Sequence, residues 1–211
     1  MIRDVFLPLP LIPLVDGASV YHPAQNLPER VTLESPALEV MTDLRQVCAV
    51  TTEPEASVEE ANAKMIRNGV RLLFVTDPHH RLLGLITATD ILGEKVLQAM
   101  QERGVARGDV LVHEIMTPRL RLEAIDMHEV RGSKVGHVLS TLKQAGRQHA
   151  IVVDIHEPSF HDKLVMLPKV SATQTVRGLF STTQIARQLG LSLHDVELAT
   201  TFAEVEALLG R

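Results

Sequence analysis

The chain has no tryptophan, one tyrosine and five phenylalanines, so aromatic residues make up only 3% of its 211 positions. Proteins that grip single-stranded nucleic acid stack successive bases on rows of aromatic side chains, and too few are present here for that. The core has to be aliphatic instead. Cys48 is the sole cysteine. That excludes an intramolecular disulfide and a cysteine-built zinc site, and it fits a reducing compartment. Positive charge is also scarce: 21 Lys and Arg face 26 Asp and Glu, a net charge of -5. This is the wrong sign for a general nucleic-acid or anionic-membrane surface. The most apolar N-terminal stretch, Phe6 to Val15, is short and broken by Pro8, Pro10 and Pro13. It neither spans a bilayer nor makes a good signal peptide, so the expected location is cytoplasmic. A P-loop, a dinucleotide glycine fingerprint and a Gly-x-Ser-x-Gly elbow are all missing, which points away from an enzyme.

What is present reads as an ordinary globular protein, with 45% hydrophobic and 22% charged residues. Six of the eleven prolines fall within the first 36 residues, which marks residues 1–35 as an extended arm. The apolar residues of the arm, Phe6, Leu7, Leu9, Leu11, Ile12 and Leu14, are expected to pack onto the body of the protein. A repeat comes next. In its first copy Met41-Thr42 precedes a strand at Val47 to Thr51, in which Cys48 reads as a core residue. A helix then opens at Ser57 with Glu60 completing a capping box, and Val58, Ala61, Met65 and Ile66 share its apolar face. Gly69 ends the helix, and strands at Leu72 to Val75 and Leu82 to Ile86 flank the turn Asp77-Pro78-His79-His80. In the second copy Met116-Thr117-Pro118 precedes a strand at Arg121 to Ile125. The helix Lys134 to Gly146 then sets Val135 against Val58, Leu142 against Met65 and Gly146 against Gly69 at one constant offset. After the buried strand Ala150 to Val153 the copies diverge, through an insertion near residues 155–176 that contains Pro158 and Pro168. An insertion there lengthens a hairpin without entering the core.

Both copies read strand, helix, strand, strand, helix, and each is too small to bury a full core alone. The expected fold is therefore α/β, two pseudo-symmetric β-α-β-β-α units packed sheet to sheet. The expected division is an arm at 1–35, a first unit with its linker at 36–108, a second unit at 109–190 and a helical tail at 191–211.

Several motifs in this order resemble the cystathionine β-synthase (CBS) domain pair, or Bateman module, over roughly residues 36–190. The first copy supplies Val40-Met41-Thr42, Ser57-Val58-Glu59-Glu60-Ala61 and Gly84-Leu85-Ile86-Thr87-Ala88-Thr89-Asp90-Ile91. The second supplies Ile115-Met116-Thr117-Pro118 and Gly178-Leu179-Phe180-Ser181-Thr182-Thr183-Gln184-Ile185. The resemblance implies a non-catalytic regulator, without a cofactor, that takes AMP, ADP or ATP between the two units and signals to a protein partner or within a homodimer. It implies a first cleft built from Gly84, Thr87, Thr89 and Asp90 together with Thr117, Leu122, His149 and Ala150. Asp90 would hold the ribose, the hydroxyls of Thr87 and Thr89 would meet phosphate beside a helix N-terminus, and His149 would give a pH-sensitive phosphate contact. The implied second cleft comprises Thr42, Val47, Arg71, Gly178, Ser181, Thr183 and Gln184.

The residues also admit plainer roles. Thr89 or Asp90 caps a helix in any protein, His149 suits a strand end, and Arg71 suits a surface ion pair. In the second cleft Gln184 stands where the family pattern has its ribose Asp, which removes charge-assisted hydrogen bonds worth roughly 1.5–3 kcal/mol each. That departure, with the insertion, keeps open a ligand-free interaction module that mediates dimerisation. The run from Thr183 to Ser192 resembles a helix-turn-helix turn, but the four acids after residue 191 against Arg211 oppose phosphate contact. Neither nucleic acid nor membrane is an expected partner. The ten histidines show no ligand spacing, so no metal is expected. Phe202, Val205, Leu208 and Leu209 share a face of a helix in the tail.

Overall fold

A computed structural model describes Pro13, residues 24–156 and residues 173–191. Most of the arm, the bulk of the insertion and the tail expected to be helical lie outside these residues.

The first unit starts from a short lead segment, a 3-10 turn at Ala37–Val40 followed by strand β1 (Thr42–Asp43). The chain then turns back on itself, with Val47 N–H donating to the Asp43 carbonyl, so the expected strand at Val47 to Thr51 shrinks to β2 (Thr51–Thr52). Cys48 is exposed in that turn and is not a core residue. Helix α1 (Val58–Asn68) opens with the expected capping box: Ser57 Oγ accepts from Glu60 N–H and Glu60 Oε2 accepts from Ser57 N–H. Gly69 closes it in the left-handed region at φ 63°, which favours glycine. Val58, Ala61 and Met65 are buried, whereas Ile66 is exposed because it lies about 100° of helix rotation beyond Met65. Strands β3 (Leu72–Thr76) and β4 (Leu82–Thr87) form a hairpin, and short helices α2 (Ala88–Leu92) and α3 (Glu94–Arg103) come after it.

The second unit repeats the scheme: α4 (Val112–Ile115), lead strand β5 (Thr117–Pro118), β6 (Ala124–Asp126), α5 (Met127–Arg131), α6 (Val135–Gln144), β7 (His149–His156), β8 (Thr173–Ser181) and α7 (Thr182–Leu189). The expected strand at Arg121 to Ile125 begins later, because Arg119–Arg121 wind into a 3-10 turn. The inserted sequence sits between β7 and β8, which pair from His149 against Ser181 to His156 against Thr173.

The lead strands cross over. The two four-stranded sheets run β2-β3-β4-β5 and β1-β8-β7-β6, so each sheet takes its edge strand from the segment that precedes the other unit in sequence. Thr42 pairs with Leu179 and Thr117 with Leu85, which are equivalent positions. Glycine makes this close approach possible: a Cβ on Gly84 would lie 2.5 Å from the Thr117 carbonyl oxygen, and one on Gly178 would lie 2.5 Å from that of Thr42. The cores share the same exchange. Ala37, Val40 and Met41 are buried with Val135, Leu139 and Phe180 of the second unit, while Val110, Val112 and Ile115 are buried with Val58, Leu73 and Ile86 of the first. A third apolar layer of Leu72, Phe74, Leu85, Ile151 and Val153 lies between the two sheets.

Candidate functional site

At the open end of the inter-sheet layer lies a cavity of about 390 Å³, within the range of small-molecule sites. Leu72 at the start of β3, Leu85 on β4 and Ile151 on β7 make its apolar walls with Leu122. Thr87, Thr89 and Asp90 enter from the β4–α2 junction and Thr117 from the lead strand β5. Gln148 and His149 enter from the start of β7. Six of the eight residues expected in the first cleft thus meet in one cavity, drawn from both units.

The other two stand apart from it. Gly84 pairs with Pro118, and its open side is filled by the lead strand. Ala150 faces the opposite side of β7 from His149, as strand alternation requires, and packs on the second unit's core. Sequence reasoning missed Arg147 and Glu123, which form an ion pair at 2.9 Å and line the same cavity. The only cue was the place of Arg147, directly after the glycine that ends a helix and before a buried strand.

Asp90 is tied down on several sides. Its Oδ2 accepts from the Thr87 N–H at 2.9 Å and the Thr87 hydroxyl at 2.7 Å, while its own N–H donates to Thr87 Oγ1 at 3.2 Å. The plainer reading of the sequence expected Thr89 or Asp90 as the helix cap; the cap is Thr87, with Asp90 closing its capping box from the third helical position, and Asp90 lines the cavity as well. Lys95, on α3, donates to Asp90 Oδ1 at 2.5 Å and to the Ile115 carbonyl at 3.2 Å. Because α2 has only five residues and its Asp90 N–H is already used, the helix end offers less to a phosphate than the sequence suggested.

His149 differs from expectation in its charge. Burial, with the Arg71 guanidinium adding repulsion, pushes its imidazole down to about 4, so the cleft presents a neutral ring at neutral pH. Arg71 itself lies on this side of the molecule. With Thr89, Gly93, Gln148 and His149 it lines a second cavity of about 350 Å³ that shares residues with the first.

Thr42 and Gln184 of the expected second cleft are engaged with the protein's own chain. Thr42 Oγ1 donates to Gln184 Oε1 at 3.3 Å, and Gln184 Nε2 donates to the Val40 carbonyl at 3.4 Å. Gln188, one helical turn on and buried, donates to the carbonyls of Pro28 and Glu39. Gln25 closes the outer edge of β1, donating to the Met41 carbonyl and accepting from the Asp43 N–H. Beside it Arg177 pairs with Asp43, both largely shielded from solvent, and reaches Asp154 at 3.5 Å. Ser181, Thr183 and Gln184 lie across the β8–α7 junction, Gly178 lies under the lead strand, and Val47 sits in the turn after β1. Among the described residues no group of three His, Cys, Asp or Glu is placed to hold a metal ion, and no helix is long and apolar enough to cross a membrane.

Residues 37–97 match the family model for the CBS domain. No curated protein sequence matches the chain. Among solved structures, an uncharacterised conserved protein from Pyrococcus horikoshii is 19% identical over 74% of this chain and 92% of its own, with a TM-score of 0.48. CBSX2, a CBS-pair protein from Arabidopsis thaliana, was solved in complex with AMP; that structure is 17% identical over 72% of this chain and 94% of its own, with a TM-score of 0.46. The CBS domain pair of protein MJ0100, bound to 5-methylthioadenosine and S-adenosyl-L-methionine, is 18% identical over 72% and 98%, with a TM-score of 0.45.

Proposed function

We propose that the chain is a tandem CBS pair, since the unit that matches the CBS domain is succeeded by a second unit of the same topology, and that it serves as a non-catalytic regulatory module for an adenosine-containing ligand. One observation carries the reading: a single cavity joins the Asp90 carboxylate, the Thr87 and Thr89 hydroxyls and aliphatic walls from both units. A purine fits between Leu72, Leu85, Leu122 and Ile151 without an aromatic platform. Asp90 accepts from the ribose, and phosphate extends toward Arg147 and the adjoining cavity with Arg71 and His149. AMP, ADP and ATP all satisfy this chemistry.

The cavity also supplies a route for signalling. Leu72, Leu85 and Ile151 belong to the layer between the sheets, so a ligand that binds one sheet-to-sheet arrangement better than another shifts the population toward it. The receiver is a homodimer partner or another protein. Exposed Ile66, Leu92 and Leu97 give the helical surface of the first unit apolar area for such contact. The rival reading, a ligand-free interaction module, is favoured at the second cleft alone, where Gln184 is spent on internal bonds.

Thermal-shift and calorimetric titration with AMP, ADP, ATP, S-adenosylmethionine and NAD test the proposal. At least one ligand raises Tm, with a stoichiometry of one per chain, and Asp90→Ala abolishes the shift. A ligand at about 100 times its Kd stabilises the fold by about 2.7 kcal/mol, an easily read effect. Absence of any shift at millimolar concentration would leave the interaction-module reading in its place.

A further inference from the structure

The hydrogen-bond capacity of Asp90 limits what it can read. An ionised carboxylate offers about four acceptor positions, two on each oxygen. On Oδ2 both are filled, by the N–H and the hydroxyl of Thr87. On Oδ1 one is filled by the Lys95 ammonium, which is anchored a second time on the Ile115 carbonyl. Among the described residues nothing else donates to this carboxylate, which leaves a single acceptor position. A ribose presents two hydroxyl donors, so the carboxylate and the sugar do not match while Lys95 stays in place.

Lys95 has reason to stay. It links three elements at one point: its own helix α3, the cap of α2 and the last turn of α4 that leads into Thr117. It approaches from behind the carboxylate, since Asp90 lines the cavity and Lys95 is not among the lining residues. A ligand therefore does not collide with it.

We infer that Lys95 is a specificity-determining residue of this cleft: by holding one acceptor position of Asp90 it leaves the site able to read a single ribose hydroxyl instead of the pair. The cleft then discriminates strongly against only one of the two monodeoxy forms of its nucleotide and accepts the other almost as well as the parent. The inference rests on the adenosine-ligand reading of the cavity.

Calorimetry with the tightest binder among AMP, ADP and ATP, and with its 2′-deoxy and 3′-deoxy analogues, tests it on wild type and Lys95→Met. Lys95 is about half exposed, so the variant keeps its fold, which circular dichroism verifies, while the loss of its two bonds lowers the ligand-free Tm. In wild type one analogue binds about tenfold or more weaker than the parent, the cost of one hydrogen bond to a charged group, and the other stays within about threefold. In Lys95→Met the freed position takes the second hydroxyl, and both analogues become about tenfold weaker than the parent. A purely structural role would change all three affinities alike and leave their ratios untouched, which would overturn the inference. So would a wild type that rejects both analogues, because Lys95 would then be displaced on binding. Binding by none of the three nucleotides would defeat the nucleotide form of the adenosine reading and the inference with it, whereas either preceding outcome defeats the inference alone.

Discussion

His149 shows how a single side chain departs from its sequence-level description. An imidazole at a strand start reads as a group titrating near 6.5, but its buried place beside Arg71 lowers it to about 4. Between those two pH values the unfolded chain holds a proton that the folded chain refuses, so stability rises with pH across this window and is lost as pH falls from 6.5 toward 4. Urea unfolding at fixed pH should find wild type losing on the order of 2 kcal/mol more than His149→Gln over that range. Parallel pH profiles for the two proteins would contradict the assignment. The residue types of the cleft were legible in the sequence because Thr87, Thr89 and Asp90 are contiguous. The partners that determine their behaviour were not. Lys95 reaches Asp90 from the next helix and Arg71 reaches His149 from the other unit, and no periodicity encodes such contacts.

Elements were legible where local chemistry dictates them. The Ser57–Glu60 box and Gly69 bound α1 at both ends, and the unbroken apolar run at Leu72 marks a strand covered on both faces. The strand expected at Val47 failed for a reason of longer range. Asp43 is held by Arg177 and Gln25 at the far sheet, so the chain must turn through Cys48 before it can reach β3. The lead strands offer the sharpest test at this scale. Gly84→Ala places a methyl 2.5 Å from the Thr117 carbonyl and 2.9 Å from the Met116 sulfur, both anchored in packed structure. It should cost about 1–3 kcal/mol by overpacking and lower Tm accordingly. Gly132→Ala, with nothing within 4 Å of the added carbon, serves as the harmless control. Equal Tm values for the two variants would show that β5 is not held against β4.

Over the whole molecule, the repeat announced two similar units, but not which segments each one owns. A constant offset in sequence is compatible with units that keep their own lead strands and with units that trade them, since the offset is the same in both cases. Packing decides: Met41 is buried in one cluster with Phe180, and Ile115 in the other with Ile86. Neither unit can unfold without stripping an edge strand and several core residues from the other. Chemical denaturation should therefore give one transition, with circular dichroism and amide exchange at β4 and β8 reporting the same midpoint. Two separated transitions would mean that the shared strands contribute little.

The exchanged lead strands also constrain how such a chain could have arisen. A gene for one unit alone would encode a polypeptide whose first strand has no place in its own sheet, and whose sheet lacks an edge that only another copy can provide. Two such polypeptides complete each other reciprocally, as the pairing of Thr42 with Leu179 and of Thr117 with Leu85 still records. Joining two such copies end to end places both halves of the exchange in one chain, where neither depends on meeting a partner. Each half then carries its own junction residue, Asp90 in one and Gln184 in the other, under a shared exchange of strands.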